Sequence, residues 1–359
     1  MDREKCAVCD GKLKSIYCRH AYPACISPPC GDFSDDVFMD YIFGSCDTCG
    51  CVQMMKLVDP AILYGNNHNI TYNTPTWSAH HTAFTAFIKR NDVGRSIIEI
   101  GGNPNILAPR FKDTKYRIMD ICDQSATNGD IEYINANCEN YEYDVMSDLI
   151  LSHVFEHLYN PRVFVENLAK YKVPKVLISI PNMDELLKEN CKFILNPEHT
   201  YFINKVLMDF LFEKNGYKLK QNEAFGNHSC FYCYEYSNEP NPTLKLPNIN
   251  IESKFLEILE KPDASHTLPN IKYDFIAPAG VYGQYIYNVL KPDICGFLDN
   301  DVSKHNRRVY GTNAFTFGFD KLKEYVGKDI NILLGARLYN KELTEQLMSY
   351  SDKIHIYYV

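Results

Sequence analysis

Ile97-Ile98-Glu99-Ile100-Gly101-Gly102-Asn103-Pro104-Asn105 decides the reading of this chain. A run of β-branched residues stops abruptly at two glycines, as a buried strand does when it enters a tight turn. Working outward, further short apolar runs stand at Tyr116–Asp120, Ile131–Ile134, Asp148–Ser152, Lys175–Ile180 and Ser229–Tyr236, after the first at Ser96–Ile100. Helical segments alternate with them, so the expectation is βαβ units around a parallel sheet, with the Gly-Gly turn leading from the first strand into a helix. Such a turn presents backbone N–H groups to a ligand at the point where a sheet switches direction.

The turn lacks the GxGxxG spacing of a dinucleotide site. A glutamate two residues ahead of Gly-Gly suits S-adenosylmethionine better: Glu99, Gly101, Gly102 and Asn103 would pass its amino-acid end. Asp120 closes the second strand about twenty residues on, where a carboxylate accepts both ribose hydroxyls. Asn105 stands where a glycine is commonest, and asparagine tolerates positive φ. The competing reading is a plain strand-to-helix turn.

Composition excludes several classes. The 359 residues are 45% apolar and 23% charged, enough for two or three packed domains. Net charge is −8 with no long Lys/Arg cluster, so a nucleic-acid partner is not expected. No run of 18 apolar residues occurs and the start, MDREKCAVCD, is unlike a signal, so the expectation is a cytoplasmic chain with no membrane partner.

Eight of the fourteen cysteines lie in the first 51 residues. Cys6-x-x-Cys9 and Cys46-x-x-Cys49 have metal-ligand spacing, and two such knuckles make the Cys₄ set of a structural zinc. The 36 residues between them carry Cys18, Cys25 and Cys30 and read as an inserted loop; unrelated free thiols are the alternative. Cys230 and Cys233 share the spacing, but on a strand they face opposite sides.

Two histidine-bearing segments remain. His153-x-x-Glu156-His157 matches an inverted zinc-peptidase pattern, which needs both histidines on one helix face; Asn160-Pro161 looks like the start of the next helix and leaves little room for a long one. The other reading sets His153 beside the methyl donor at the end of the fourth strand. Glu198-His199 falls in a loop before a helix starting near Asn204, where a neutral imidazole could take a proton from a substrate.

Taken in order, these blocks resemble the S-adenosylmethionine-dependent sugar C-methyltransferases that act on nucleotide-linked deoxy-keto-sugars. The first block is CxxC…CxxCG followed by Val52-Gln53 and Asp59-Pro60-Ala61-Ile62-Leu63-Tyr64. The second is Glu99…Asn103 with Glu198-His199-Thr200-Tyr201-Phe202. The third is Ala279-Gly280-Val281-Tyr282-Gly283 with Gly296-Phe297-Leu298-Asp299-Asn300-Asp301 and Lys304. The resemblance implies an α/β fold: a zinc module (1–56), a helical connection (57–90), a class I methyltransferase core (91–240), a linker and helix (241–270) and a Rossmann-like C-terminal domain (271–359). It implies that Glu198 and His199 touch the sugar, His199 as base, and that an early tyrosine, here Tyr72, joins them. It implies a nucleotide-sugar substrate and a monomer or small homo-oligomer. O- or N-methylation of a related small molecule, and a non-catalytic binding protein, are the alternatives.

Overall fold

The computed structural model describes residues 1–26, 28, 31–65, 75–122, 131–188, 192–260, 268–336 and 339–359; Cys30 and Tyr72 lie outside them. In chain order, β1 (Leu13–Pro23), β2 (Phe38–Cys46) and β3 (Val52–Met54) precede α1 (Pro60–Tyr64) and α2 (Pro75–Arg90). Then come β4 (Ser96–Ile100), β5 (Lys115–Asp120), β6 (Glu132–Asn135), β7 (Asp148–Ser152), α3 (Pro161–Lys170), β8 (Lys175–Pro181) and α4 (Met183–Lys188). β9 (Tyr201–Phe202), α5 (Lys205–Lys214), β10 (Tyr217–Phe225), β11 (Ser229–Tyr236) and α6 (Glu252–Glu260) follow. The last part holds β12 (Phe275–Ala277), α7 (Val281–Leu290), β13 (Gly296–Leu298), β14 (Thr316–Phe317), β15 (Ile330–Leu334), α8 (Asn340–Met348) and β16 (Ile354–Tyr358).

The central sheet runs β10-β11-β8-β7-β4-β5-β6. β11 is antiparallel to both neighbours and the other strands run parallel. This is the strand order of a class I methyltransferase core, reversing between β4 and β7. β4, β7 and β8 are covered on both faces, which is why their sequences are nearly continuous apolar runs. β10 escapes that signal. It is an edge strand whose residues alternate between half-buried and exposed, so its sequence, YKLKQNEAF, is mostly polar.

The helix expected directly after the Gly-Gly turn is absent. Turns and a single 3₁₀ segment, Ala108–Arg110, connect β4 to β5. Pro104 and Pro109 remove backbone donors on either side of the buried Leu107, which disfavours a continuous α-helix. Asn105 is not among the positive-φ residues; its N–H is instead received by Asn103 Oδ1 at 3.0 Å.

The third sheet, β14-β13-β12-β15-β16, is wholly parallel and Rossmann-like. The first sheet does not close within residues 1–56. Its order is β1-β2-β3-β9, so the strand that completes it comes from residues 201–202. The 36 residues between the two CxxC pairs are mostly a long β1–β2 arm, which docks on the C-terminal domain. There Arg308 makes a two-pronged ion pair with Asp36 at 2.5 and 2.8 Å, and Gln284 donates to the Cys25 carbonyl at 2.8 Å. Phe43, Phe202 and Phe255 meet with ring centroids 4.6–6.1 Å apart, joining the arm, β9 and α6 in one core. The polar stretch 237–250 is similarly tied down, with Ile249 N–H donating to the Cys49 carbonyl at 2.9 Å. No described helix is long and apolar enough to cross a membrane.

Candidate functional site

A cleft of about 760 Å³ opens where the carboxyl ends of β4, β5 and β7 face the C-terminal domain. A sheet of this kind leaves its ligand crevice at that end, beside the reversal of strand order. Glu99, Gly101, Asn103 and Asp120 line it, as do His153, Glu156, His157, Glu198 and His199. Gly280, Asp299 and Lys304 close it from the opposite domain.

The two glycines have separate physical reasons. Gly101 has φ +65°, and a Cβ there would meet Val154 Cγ2 at 2.8 Å. A Cβ on Gly102 would fall 2.4–2.5 Å from the Glu99 carboxyl group, so the second glycine makes room for that side chain. Glu99 is 3% exposed and receives a hydrogen bond from Tyr116 Oη at 2.8 Å. Burial raises its pKa from 4.5 to about 8 against the lowering effect of that bond. A carboxyl group buried this way gains most from a cationic partner. Asp120 ends β5, and its Oδ1 receives the Cys122 N–H at 2.8 Å. Glu99, the Gly101–Gly102 turn and Asp120 therefore come together as the spacing predicts, and the two carboxyl acceptors fit an ammonium at one end and a diol at the other.

Opposite them, the Glu198–His199 loop is held rigidly. Glu198 N–H donates to Asn196 Oδ1 at 3.0 Å, and Thr200 N–H donates to the Glu156 carbonyl at 3.1 Å. Arg3 reaches in from the N-terminus, donating to the carbonyls of Thr200 and Tyr159 at 2.7 Å each. Pairing of β9 with β3 then sets the height of the loop. Glu156, His157 and His199 each offer a ligand or proton-transfer atom within 4.8 Å of the others, and the two rings lie 5.3 Å apart. His157 Nδ1 is 3.8 Å from Glu198 Oε2. Burial, then the field of His153, lowers the His199 pKa to about 3, whereas burial raises that of Glu156 to about 7. Glu156, which the sequence pattern offered only as part of a peptidase motif, is thus the member of this trio whose pKa burial moves towards neutrality.

The peptidase reading fails here. Phe155–His157 is one 3₁₀ turn, and His153 and His157 belong to different side-chain clusters. His153 takes a left-handed backbone (φ 55°), with its Nε2 2.9 Å from Ser229 Oγ. Its ring meets those of His80 and His228, neither of which the sequence singled out.

The four cysteines converge as the spacing requires. Cys6 and Cys49 sulfurs lie 3.6 Å apart, and those of Cys9 and Cys46 lie 3.5 Å apart. Four thiolates about 2.3 Å from a tetrahedral ion would stand about 3.8 Å from one another. The two knuckles match bond for bond. Asp10 N–H donates to the Cys6 carbonyl and Gly50 N–H to that of Cys46. Asp10 and Gly50 both have positive φ, 65° and 70°. Gln53 Nε2 donates to Cys6 Sγ at 3.1 Å, an outer contact suited to a thiolate. Cys51 stays outside the set, its thiol donating to the Phe202 carbonyl at 3.4 Å.

No family model matches the chain, and no curated protein is similar to it. Among solved structures, a protein of Pyrococcus horikoshii OT3 aligns at 14% identity over 48% of this chain and 97% of its own, with a TM-score of 0.39. Human N-acetylserotonin methyltransferase, solved with S-adenosylmethionine, aligns at 12% identity over 45% of this chain and 52% of its own, TM-score 0.39. Magnesium protoporphyrin IX methyltransferase of Synechocystis PCC 6803 aligns at 10% over 45% and 80%, TM-score 0.35. The strand order of the chain itself, rather than these distant likenesses, assigns the fold.

Proposed function

We propose that this protein is an S-adenosylmethionine-dependent methyltransferase acting on a nucleotide-linked keto-sugar, with C-methylation as the reaction. The observation that carries the reading is the buried Glu99 carboxyl under the Gly101–Gly102 turn, with Asp120 at the end of the next strand, all at the switch point of a methyltransferase-type sheet. Glu99 would hold the ammonium of the cofactor and Asp120 its ribose hydroxyls, with Gly101, Gly102 and Asn103 passing the amino-acid end. When bound, S-adenosylmethionine supplies an electrophilic methyl group.

The chain's own residues supply position and proton handling. The acceptor would enter between the core and the C-terminal domain, where Lys304, paired with Asp299 at 3.0 Å, offers a cation beside the cleft. In the proposed mechanism the proton leaving the carbon beside the ketone goes to the Glu156–His199 pair. His199 faces the acceptor in its neutral form, and Glu156 is the stronger base of the two. Glu198 positions the sugar or His157. The Cys6, Cys9, Cys46 and Cys49 set would hold one zinc, whose role is structural because it fixes the knuckles from which β1 to β3 extend. A non-catalytic reading, two degenerate nucleotide folds beside a zinc module, draws weight from Asn105 standing where the last glycine of the turn is expected. Asn105 lies outside the left-handed region, and both glycines that matter are present.

Asp120→Ala should weaken S-adenosylmethionine binding by about 1.5–3 kcal/mol, the range for hydrogen bonds to a charged group. Unchanged affinity by calorimetry would remove Asp120 from the site. Product mass from a panel of nucleotide sugars with labelled methyl donor tests the acceptor, and label found on oxygen or nitrogen would replace C-methylation.

A further inference from the structure

We propose that His80, His153 and His228 form a second metal site, binding a divalent first-row transition ion such as zinc through three imidazoles. Three separate elements bring the rings together: α2 carries His80, the residue after β7 is His153, and the β10–β11 turn carries His228. One ring nitrogen from each lies within 4.8 Å of the others. The ring centroids are 5.1, 5.3 and 5.4 Å apart. Three imidazoles about 2.0–2.1 Å from one tetrahedral ion would have centroids about 5 Å apart.

The hydrogen bonding around the rings leaves a ligand atom to spare on His80. His80 Nε2 is 2.8 Å from Ser179 Oγ, while its Nδ1 is buried with no hydrogen-bond partner among the described residues. His80 is 0% exposed, so leaving that nitrogen unpaired is unfavourable unless something outside the described residues engages it. Ser229 Oγ sits between His153 Nε2, at 2.9 Å, and His228 Nδ1, at 2.5 Å. An outer oxygen that holds one imidazole nitrogen, as Ser229 Oγ does here, fixes which ring nitrogen is left for a metal. His153 also adopts φ 55°, a backbone state disfavoured for a residue with a Cβ, and this aims its ring into the trio. Glu156 Oε1 lies 3.4 Å from His153 Nδ1 and is the acidic group facing that ring. An all-imidazole donor set suits zinc, cobalt, nickel or ferrous iron rather than magnesium or calcium. His153 and His228 line the cleft while His80 is deeper, and the Trp77 ring, with its centroid 4.7–5.1 Å from those of all three imidazoles, covers the fourth side of the cluster.

Cobalt(II) titration of the metal-stripped full chain tests this without reference to activity. Two equivalents are expected. One shows the near-ultraviolet thiolate charge-transfer bands of the Cys₄ set, and the other shows only visible bands of an imidazole site. His228→Gln, at a partly exposed turn, should weaken the second equivalent by about 100-fold or more and leave the thiolate bands intact; Ser229→Ala, which removes only an outer partner, should weaken it about 10–100-fold. If wild-type protein takes up only the thiolate-bound equivalent, the site does not exist. A second equivalent that survives His228→Gln would belong elsewhere, as at the exposed Cys18–His20–Asp40 group, and would equally overturn the proposal. Should His228→Gln fail to fold, the wild-type stoichiometry and spectrum, with His153→Asn, decide the question alone.

Discussion

Replacing Glu99 by glutamine would separate two effects of opposite sign. In the free chain the carboxyl is buried and its pKa is raised from 4.5 to about 8. The folded state therefore binds more protons than the unfolded state between those values. Stability is fully present below pH 4.5 and falls as pH rises towards 8, by on the order of 5 kcal/mol in total. Glu99→Gln removes that loss, so at pH 8.5 the free variant should melt above the wild type. Cofactor binding should move the other way. An ammonium beside Glu99 favours the carboxylate, so binding at pH 7 should release about 0.9 proton from a group with a pKa of about 8. Affinity should then rise nearly tenfold per pH unit from about 5.5 to 7, before the amine of the cofactor itself, with a pKa near 7.7–8.0, begins to lose its charge. The variant should bind about 10–150-fold more weakly at pH 7, as expected for losing a charge-assisted hydrogen bond worth about 1.5–3 kcal/mol. Calorimetry with S-adenosylmethionine in buffers of differing ionisation enthalpy reads the proton directly. A wild-type enthalpy independent of buffer, with an affinity flat from pH 5.5 to 7, would refute the assignment of Glu99 to the ammonium.

Four further outcomes are expected. His199→Ala should lower turnover by about 10²–10⁴-fold while leaving cofactor affinity intact. The wild-type rate should fall below pH 7 if Glu156 is the base, because that is where it takes up its proton; a profile flat down to pH 5 would name His199 instead. Protein purified without chelator should retain one zinc that a thiol-specific mercurial releases, and less than about half an equivalent would contradict a closed Cys₄ site. Asp36→Ala strands the Arg308 guanidinium at the junction of the β1–β2 arm and the C-terminal domain, and should cost about 3–5 kcal/mol in chemical denaturation. A loss below about 1 kcal/mol would mean that the junction is solvated.

Much of the core was legible because its signals are local. The Ser96–Ile100, Asp148–Ser152 and Ser229–Tyr236 strands read directly from apolar runs, since burial on both faces demands such residues. The two CxxC knuckles were equally plain, because a four-residue turn sets its own geometry. The edge strand β10 was not. It is half-exposed and mostly polar, so its composition does not separate it from a loop. The missing helix after Gly102 shows a local expectation overruled by two prolines within thirteen residues.

From the sequence alone came the class of fold, the Gly-Gly turn with its glutamate, the Asp120 partner and the thiol set, all features whose physics is contained within a few neighbouring residues. Tertiary structure alone decided that β9 closes the N-terminal sheet, because a two-residue strand has no periodicity to detect. It alone set Glu156 beside His199 and raised its pKa, since burial is a property of the surroundings and not of the residue. It alone brought His80, His153 and His228 together from positions up to 148 apart in the chain, because side chains at such separations meet only once the whole sheet has formed.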